Sequence, residues 1–259
     1  MGVLNVTPDS FSDGGQHDTF EAAVEHGMTL AAEGADLIDV GGESSRPGAE
    51  PVPADVELAR VVPVVAALVG RGVRVSVDTV KPEVATAAVE AGASLVNDIS
   101  ASLWPVAAAT GAGWVAMHMQ GRPRSMQEDP RYGDVVAEVR DLVLARARRA
   151  LDAGVAEVWV DPGIGFGKTM AHNLSLLRHL DELVTAAAAA GCAGVAVGTS
   201  RKRFLGVLAS SGGEPAPVAE RLEGSLATAA AALVAGAGLV RVHDVAATVQ
   251  VARLYGPAA

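Results

Sequence analysis

The feature that most constrains this chain is a unit that recurs along it: a helical stretch, a glycine, a short apolar run, then a polar residue where the run ends. Gly34 leads into Leu37-Ile-Asp-Val40, Gly72 into Val73-Arg-Val-Ser-Val77 with Asp78, and Gly92 into Leu95-Val96 with Asn97-Asp98. The pattern continues from Gly113 to Trp114-Val-Ala-Met117 with His118, and from Gly154 to Val158-Trp-Val160 with Asp161. Gly194 precedes Val195-Ala-Val197 and Ser200-Arg-Lys202; Gly238 precedes Leu239-Val240 and Arg241-Val-His243. With the opening run Gly2-Val-Leu-Asn-Val6, the chain carries eight strands. Runs this short and this apolar on both faces belong to a parallel sheet covered by helices. Each glycine is expected at a helix C-cap with positive φ. Helices are expected at 18–33, 54–70, 81–91, 104–112, 134–153, 172–190, 217–235 and 244–254. Eight units of about 30 residues read as an α/β chain of the (β/α)8 TIM-barrel class. They form a single domain over residues 1–259. A doubly wound sheet is the alternative, but it would use fewer strands and a glycine fingerprint after the first. The Gly212–Pro217 stretch reads as a surface excursion before the seventh unit's helix.

Charge narrows the partners. Twenty Lys and Arg against 30 Asp and Glu give a net charge of −10, which argues against non-specific binding to nucleic acid or an anionic membrane. A bound anion must therefore be held by a local positive cluster. The lone Cys192 excludes an intramolecular disulfide, suits a reducing cytosol and reads as a structural thiol. No leader-like segment and no long apolar span stand in the chain, so a cytoplasmic location is expected.

One stretch invites a nucleotide-loop reading: Val158-Trp-Val-Asp-Pro-Gly-Ile-Gly-Phe-Gly-Lys-Thr169. The phosphate-loop pattern fails because Pro162 occupies the place of its first glycine, and the dinucleotide pattern fails on glycine spacing. What remains is a strand that delivers Asp161 to a sheet edge, Pro162 to help turn the chain, and backbone that something approaches closely. Lys168 then reads as a support for this loop and the neighbouring helix.

In a barrel the strand C-termini converge on one face. They would bring together Asn5, Asp39, Asp78, Asn97, His118, Asp161, Lys202, Arg241 and His243. Taken singly, Asp39 and Asp98 read as helix caps, and His118 as a hydrogen-bonded core residue. Taken together, carboxylates and an amide around an apolar throat suit a flat heterocycle with several ring N–H groups, with Lys202 donating to an exocyclic oxygen. No His or Cys cluster has zinc spacing. Arg241, His243 and Asn5 come from the last and first strands, where barrels often bind phosphate. Asn5 offers an oxygen to a hard cation such as Mg2+. The loops at 7–17 and 41–53 stand over the same mouth and read as mobile lids.

These residues together resemble dihydropteroate synthase. The resemblance rests on Met1–Gly15, Ile38–Gly48, Ser76-Val-Asp-Thr79, Val96-Asn-Asp98, Met117-His-Met-Gln-Gly121, Asp161-Pro-Gly163 with Phe166-Gly-Lys168, Ser200-Arg-Lys-Arg-Phe204 and Arg241-Val-His-Asp-Val245, in family order. It implies condensation of 6-hydroxymethyl-7,8-dihydropterin pyrophosphate with p-aminobenzoate, by early loss of pyrophosphate and attack of the arylamine. It implies a pterin site of Asp78, Asn97, Asp161 and Lys202, with Met117, Phe166 and Gly198 lining the slot. Asn5, Ser45, Arg241, Val242 and His243 would take the pyrophosphate, with Asn5 also reaching Mg2+. Phe11, Ser45, Arg46, Pro47, Ser200 and Lys202 would form the p-aminobenzoate pocket. Lys202, Arg241, His243 and Asp78 would carry the catalysis, and the family implies a homodimer. Three departures stand out. The chain starts close to its first strand, so a segment covering the barrel floor is expected to be lacking. The stretch between Asp98 and Met117 is short, with Ser100-Ala-Ser102 replacing a common glycine pair, and Ser45 replaces a common Thr. Two other readings remain: a methyltetrahydrofolate methyltransferase-like pterin enzyme, and a catalytically silent pterin-binding paralogue.

Overall fold

The computed structural model describes residues 1–7, 19–44, 49–121, 124–210 and 212–255. Phe11, Ser45, Arg46 and Pro47, with much of both expected lid loops, lie outside them. Eight parallel strands follow one another around the sheet in sequence order. They are β1 (Gly2–Asn5), β2 (Ile38–Gly41), β3 (Val75–Asp78), β4 (Leu95–Asp98), β5 (Gly113–Met117), β6 (Val158–Asp161), β7 (Gly194–Val197) and β8 (Leu239–Val240). A parallel bridge between Gly2 and Val242 closes the ring, with Val3 N–H donating to the Val242 carbonyl at 3.0 Å. The result is the TIM barrel that the recurring unit predicts.

The helices are α1 (Thr19–Ala32), α2 (Ala54–Val69), α3 (Pro82–Glu90), α4 (Trp104–Thr110), α5 (Val135–Asp152), α6 (Met170–Arg178), α7 (Leu180–Ala189), α8 (Arg203–Ala209), α9 (Leu222–Val234) and α10 (Val245–Tyr255). Three of them differ from expectation. The stretch 172–190 is two helices, because the chain breaks at His179, whose φ of −113° and ψ of 28° leave the helical region. A short helix, α8, follows Lys202 directly. The next helix begins only at Leu222, after a 3-10 turn at Val218–Glu220. The Gly212–Pro217 stretch lies between α8 and that turn, as a surface excursion.

Side chains alternate across each strand. Outward ones such as Leu4, Ile38, Val40, Val77, Trp114, Val158 and Val195 are buried under the helices. Fully burying each such side chain stabilises by roughly 1.5–3 kcal/mol. The inward ones at the barrel floor form a second cluster of Leu37, Leu95, Val115 and Ala196 with Met1, Trp159 and Leu239. This floor corrects the reading of three glycines. Gly113, Gly194 and Gly238 do not end helices; the left-handed residues there are Gly111, the C-cap of α4, and Gly191 and Gly236, which directly follow the C-caps Ala190 and Ala235, at φ of 75°, 82° and 96°. A Cβ at Gly194 or Gly238 would come within 2.8 or 3.0 Å of the Trp159 ring, and one at Gly113 within 2.7 Å of Leu95. These glycines make room for the floor's large side chains. Among the described residues, no helix is long and apolar enough to cross a membrane.

Candidate active site

Strand register places the polar ends. Asn5 pairs with Gly41, Gly41 with Asp78, and Asp78 with Asn97, so Asn5, Asp78 and Asn97 lie in one row inside the mouth. Across the barrel, Met117 pairs with Asp161. Between them stands Arg241, just beyond β8, whose guanidinium spans the interior. Its Nε donates to Asp39 Oδ2 at 2.6 Å and its Nη2 to Asp78 Oδ2 at 2.8 Å.

Of the two readings of Asp39, a member of the polar set at the mouth and a helix cap, the structure keeps the first and overturns the second. It caps no helix. It is fully buried, and its Oδ2 accepts from both Arg241 and the Asn97 amide, the latter at 2.9 Å. The physical reason is its register opposite Val3 and Ser76, which turns it into the barrel instead of toward a helix. Asp98 does not cap α4 either, whose N-cap is Leu103 without a side-chain hydrogen bond; its carboxylate accepts from the backbone N–H of Ser100, Ser102 and Leu103 and from Trp114 Nε1. This bracing holds the short segment ahead of the seven-residue α4.

The Asp161 turn is built from its own backbone. Asp161 Oδ1 accepts the Gly163 N–H at 2.6 Å, and Gly163 at φ 64° carries the chain round. Behind it, buried Lys168 donates to the carbonyls of Gly163 and Phe166, each at 2.9 Å, and lies 2.9 Å from His118 Nδ1. Lys168 is thus a loop support and His118 a hydrogen-bonded core residue, as expected. On the open side of the turn, Lys202 Nζ lies 4.5 Å from the centre of the Phe166 ring and donates to the Ile164 carbonyl at 2.5 Å. A Cβ at Gly198 would sit 3.6 Å from Arg241 Cβ and 3.8 Å from Lys202 Nζ. Gly198 therefore keeps open the gap between the two cations.

Ser200 and His243 meet as well: Ser200 Oγ accepts the His243 backbone N–H at 3.1 Å and lies 3.1 Å from its Nδ1. Val242 is buried beside them in the bridge that closes the barrel. Sequence reading missed the clamp next to this pair, in which Arg201 forks onto the carboxylate of Asp244. Arg201 also holds a left-handed φ of 59°, a strain tolerated where surrounding contacts over-determine the backbone. The signal was Asp244 directly after His243, in step with Arg201 directly after Ser200.

Burial sets the electrostatics. It pushes Asp78 up to about 7, against the lowering pull of Arg241. It raises Asp161 despite Lys202 and the Gly163 N–H, and lowers Lys202 to about 8 despite Asp161. For Arg241, burial opposes the charge, but Asp39 and Asp78 outweigh it and hold the group above its ordinary value. The mouth therefore presents two carboxylates that burial holds above their ordinary range, an amide, and two cations. Such a set can grip a flat, nitrogen-rich ring by its edge and an anion beside it.

The comparisons agree with that chemistry. The family model described as pterin binding enzyme matches residues 1–243. The dihydropteroate synthase of Escherichia coli (strain K12) is 46% identical over 261 residues, covering 98% of this chain and 89% of that protein. The solved Xanthomonas albilineans dihydropteroate synthase with 4-aminobenzoic acid superposes with a TM-score of 0.88 at 46% identity, covering 98% of this chain and 90% of that one. The same organism's enzyme in complex with 7,8-dihydropteroate gives 0.84 at 44% identity, over 98% and 90% of the two chains. By matched family, sequence identity and fold, this chain belongs to the pterin binding enzymes and, within them, to the dihydropteroate synthases.

Proposed function

We propose that this chain condenses 6-hydroxymethyl-7,8-dihydropterin pyrophosphate with p-aminobenzoate to give 7,8-dihydropteroate and pyrophosphate, a step of folate biosynthesis. The observation that carries the reading is the convergence of Asp78, Asn97, Asp161 and Lys202 on one barrel mouth around Arg241. The names of the related Xanthomonas structures, which hold 4-aminobenzoic acid and 7,8-dihydropteroate, support it.

In this reading Asp78 and Asp161 accept from the amidine-like edge of the pterin, Asn97 holds a ring nitrogen, and Met117 and Phe166 wall the slot. Lys202 donates to the ring oxygen. Arg241, His243, the Val242 backbone and Asn5 face the diphosphate. The bond from methylene carbon to diphosphate oxygen breaks first, and Arg241 and His243 take up the departing charge. The cation left behind is spread into the dihydropterin, beside buried carboxylates that stabilise it. The arylamine nitrogen then forms the new bond and sheds a proton, without needing a strong base. Ser200 and the Lys202 stem are the described part of the arylamine pocket; Phe11, Ser45, Arg46 and Pro47 complete it by sequence alone.

Magnesium fits this donor set as a companion of the diphosphate. Asn5 brings one hard amide oxygen, and among the described residues no group of three or more His, Cys, Asp or Glu side chains could cage an ion. When bound, Mg2+ supplies charge neutralisation at the leaving group. A homodimeric, cytoplasmic enzyme is part of the same proposal; the lone cysteine and the charge of −10 fit that compartment.

The test is pyrophosphate release from the pterin pyrophosphate, with and without p-aminobenzoate. Arylamine-dependent release is expected. Its absence would sink the synthase reading and favour a silent paralogue.

A further inference from the structure

We propose that Asp39 is a positioning residue of the pterin slot, which turns the amide oxygen of Asn97 toward the ligand and moors Arg241. Its geometry is unusual for a buried carboxylate. Both hydrogen bonds fall on Oδ2, from Asn97 Nδ2 and Arg241 Nε. Its Oδ1 has no partner among the described residues, and neither does the hydroxyl of its register neighbour Ser76. One guanidinium is also shared between two carboxylates, Asp39 and Asp78. A buried charge satisfied on one side only is costly, so stability is a poor account of why an aspartate sits there.

Position supplies a better one. A carboxylate only accepts hydrogen bonds. An asparagine beside it must therefore present Nδ2, whichever way the amide would otherwise rotate. With Nδ2 committed to Asp39, Asn97 keeps its Oδ1 as an acceptor for the slot, and the ring must bring an N–H to that point. Asn97 thereby changes from a side chain that could donate or accept into one that selects a donor. The same Oδ2 fixes Arg241 by its Nε and leaves Nη2 to reach Asp78. Asp39 touches neither substrate in this arrangement; it acts through residues that do.

The inference rests on the synthase reading, so the first arm is wild-type turnover, whose absence would count against that reading and not against Asp39. In the second arm, Asp39→Asn is assayed with each substrate varied in turn. The KM for the pterin pyrophosphate is expected to rise about tenfold or more, as for loss of a hydrogen bond to a charged group, with the KM for p-aminobenzoate within about twofold of wild type. In an Asn97→Ala background the same substitution should cost markedly less, because its target is gone. A purely structural role would make the two effects multiply in full, and that result, or an unchanged pterin KM, would overturn the proposal. A third arm needs no variant at Asp39. In wild-type enzyme, the Asn97 side-chain N–H2 signal should be protected from exchange both without ligand and with 7,8-dihydropteroate bound. Loss of that protection in the complex would show that Asn97 turns away from Asp39, and the idea would fail.

Discussion

Lys168 places its Nζ 2.9 Å from Nδ1 of His118, directly behind the turn that presents Asp161. Burial and the nearby lysine charge push His118 down to about 3, so at neutral pH its ring is uncharged and Nδ1 can accept. Lys168 also ties the Gly163 and Phe166 carbonyls. Lys168→Met should strand these acceptors and cost about 3 kcal/mol, read by urea unfolding. The pH dependence has a definite sign. Burial lowers Lys168 from 10.5 to about 7, so between those values the unfolded chain binds the extra proton and folding gains as pH rises. The stability difference between wild type and Lys168→Met should widen from about pH 7 upward. A difference that shrinks over that range would contradict the assignment.

Arg241 is the next point of leverage, because two carboxylates depend on it. Removing one partner of a buried pair typically costs about 3–5 kcal/mol. Arg241→Ala should therefore lower stability and abolish turnover, and it should weaken inhibition by pyrophosphate more than it weakens pterin binding. Lys202→Ala should also abolish turnover but leave pyrophosphate inhibition nearly intact. Both variants retaining near wild-type rates would show that the site has been placed wrongly.

How much of this was legible beforehand can be argued residue by residue. The barrel could be read because Gly34, Gly72, Gly92 and Gly154 do occupy left-handed helix ends and each precedes an apolar run with a polar terminus. Asp78, Asn97 and Asp161 could be read because they end those runs. Asp39 could be counted among the strand ends at the mouth, but its choice between that face and a helix cap could not be made, since it depends on register with Val3 and Ser76, which lie far away in sequence. The break at His179 carries no glycine or proline to announce it. The seven residues of α8 are too few to show a helical period. Lys168 could be read only as a support of some kind, because its backbone partners are set by the turn.

The titration of the mouth predicts a bell-shaped rate profile. In the proposed site Asp78 would accept from the pterin in its ionised form, and burial, opposed by Arg241, places its proton loss at about 7. Lys202 donates best when charged, and burial, opposed by Asp161, brings it down to about 8. The value of kcat/KM for the pterin pyrophosphate should climb toward about pH 7 and decline beyond about pH 8. Lys202→Arg keeps the charge at high pH, so whatever activity it retains should lack the alkaline limb. An unchanged limb would assign that titration elsewhere.

Lys81 ties the loop that follows β2 to the loop that follows β3. Its Nζ pairs with Glu43 at 2.5 Å and with the buried Glu57, while Glu43 also accepts the Val52 N–H at 3.0 Å. Lys81→Met leaves Glu57 buried without its cation, a loss of about 3 kcal/mol or more. Because Glu43 and Val52 flank the segment expected to meet p-aminobenzoate, the KM for the arylamine should rise more than that for the pterin. Equal changes in both constants would reduce Lys81 to a stability role.

The Asp161 turn offers the sharpest steric test. A Cβ at Gly163 would fall 1.8 Å from the His118 carbonyl oxygen, with φ at 64°. The obstacle is backbone in the adjoining strand's loop, so no side-chain rotation relieves it. Gly163→Ala must push the turn away from β5, and with it the N–H that Asp161 accepts. A cost of about 2–4 kcal/mol is expected, from overpacking joined to backbone strain, together with a large loss of pterin affinity. Gly212→Ala is the control: φ there is 129°, yet nothing among the described residues lies within 4 Å of the added Cβ, so it should show strain of roughly 1–3 kcal/mol without the clash and unchanged pterin binding. If Gly163→Ala melted with the control and still bound pterin, the turn could not be what holds Asp161 in place.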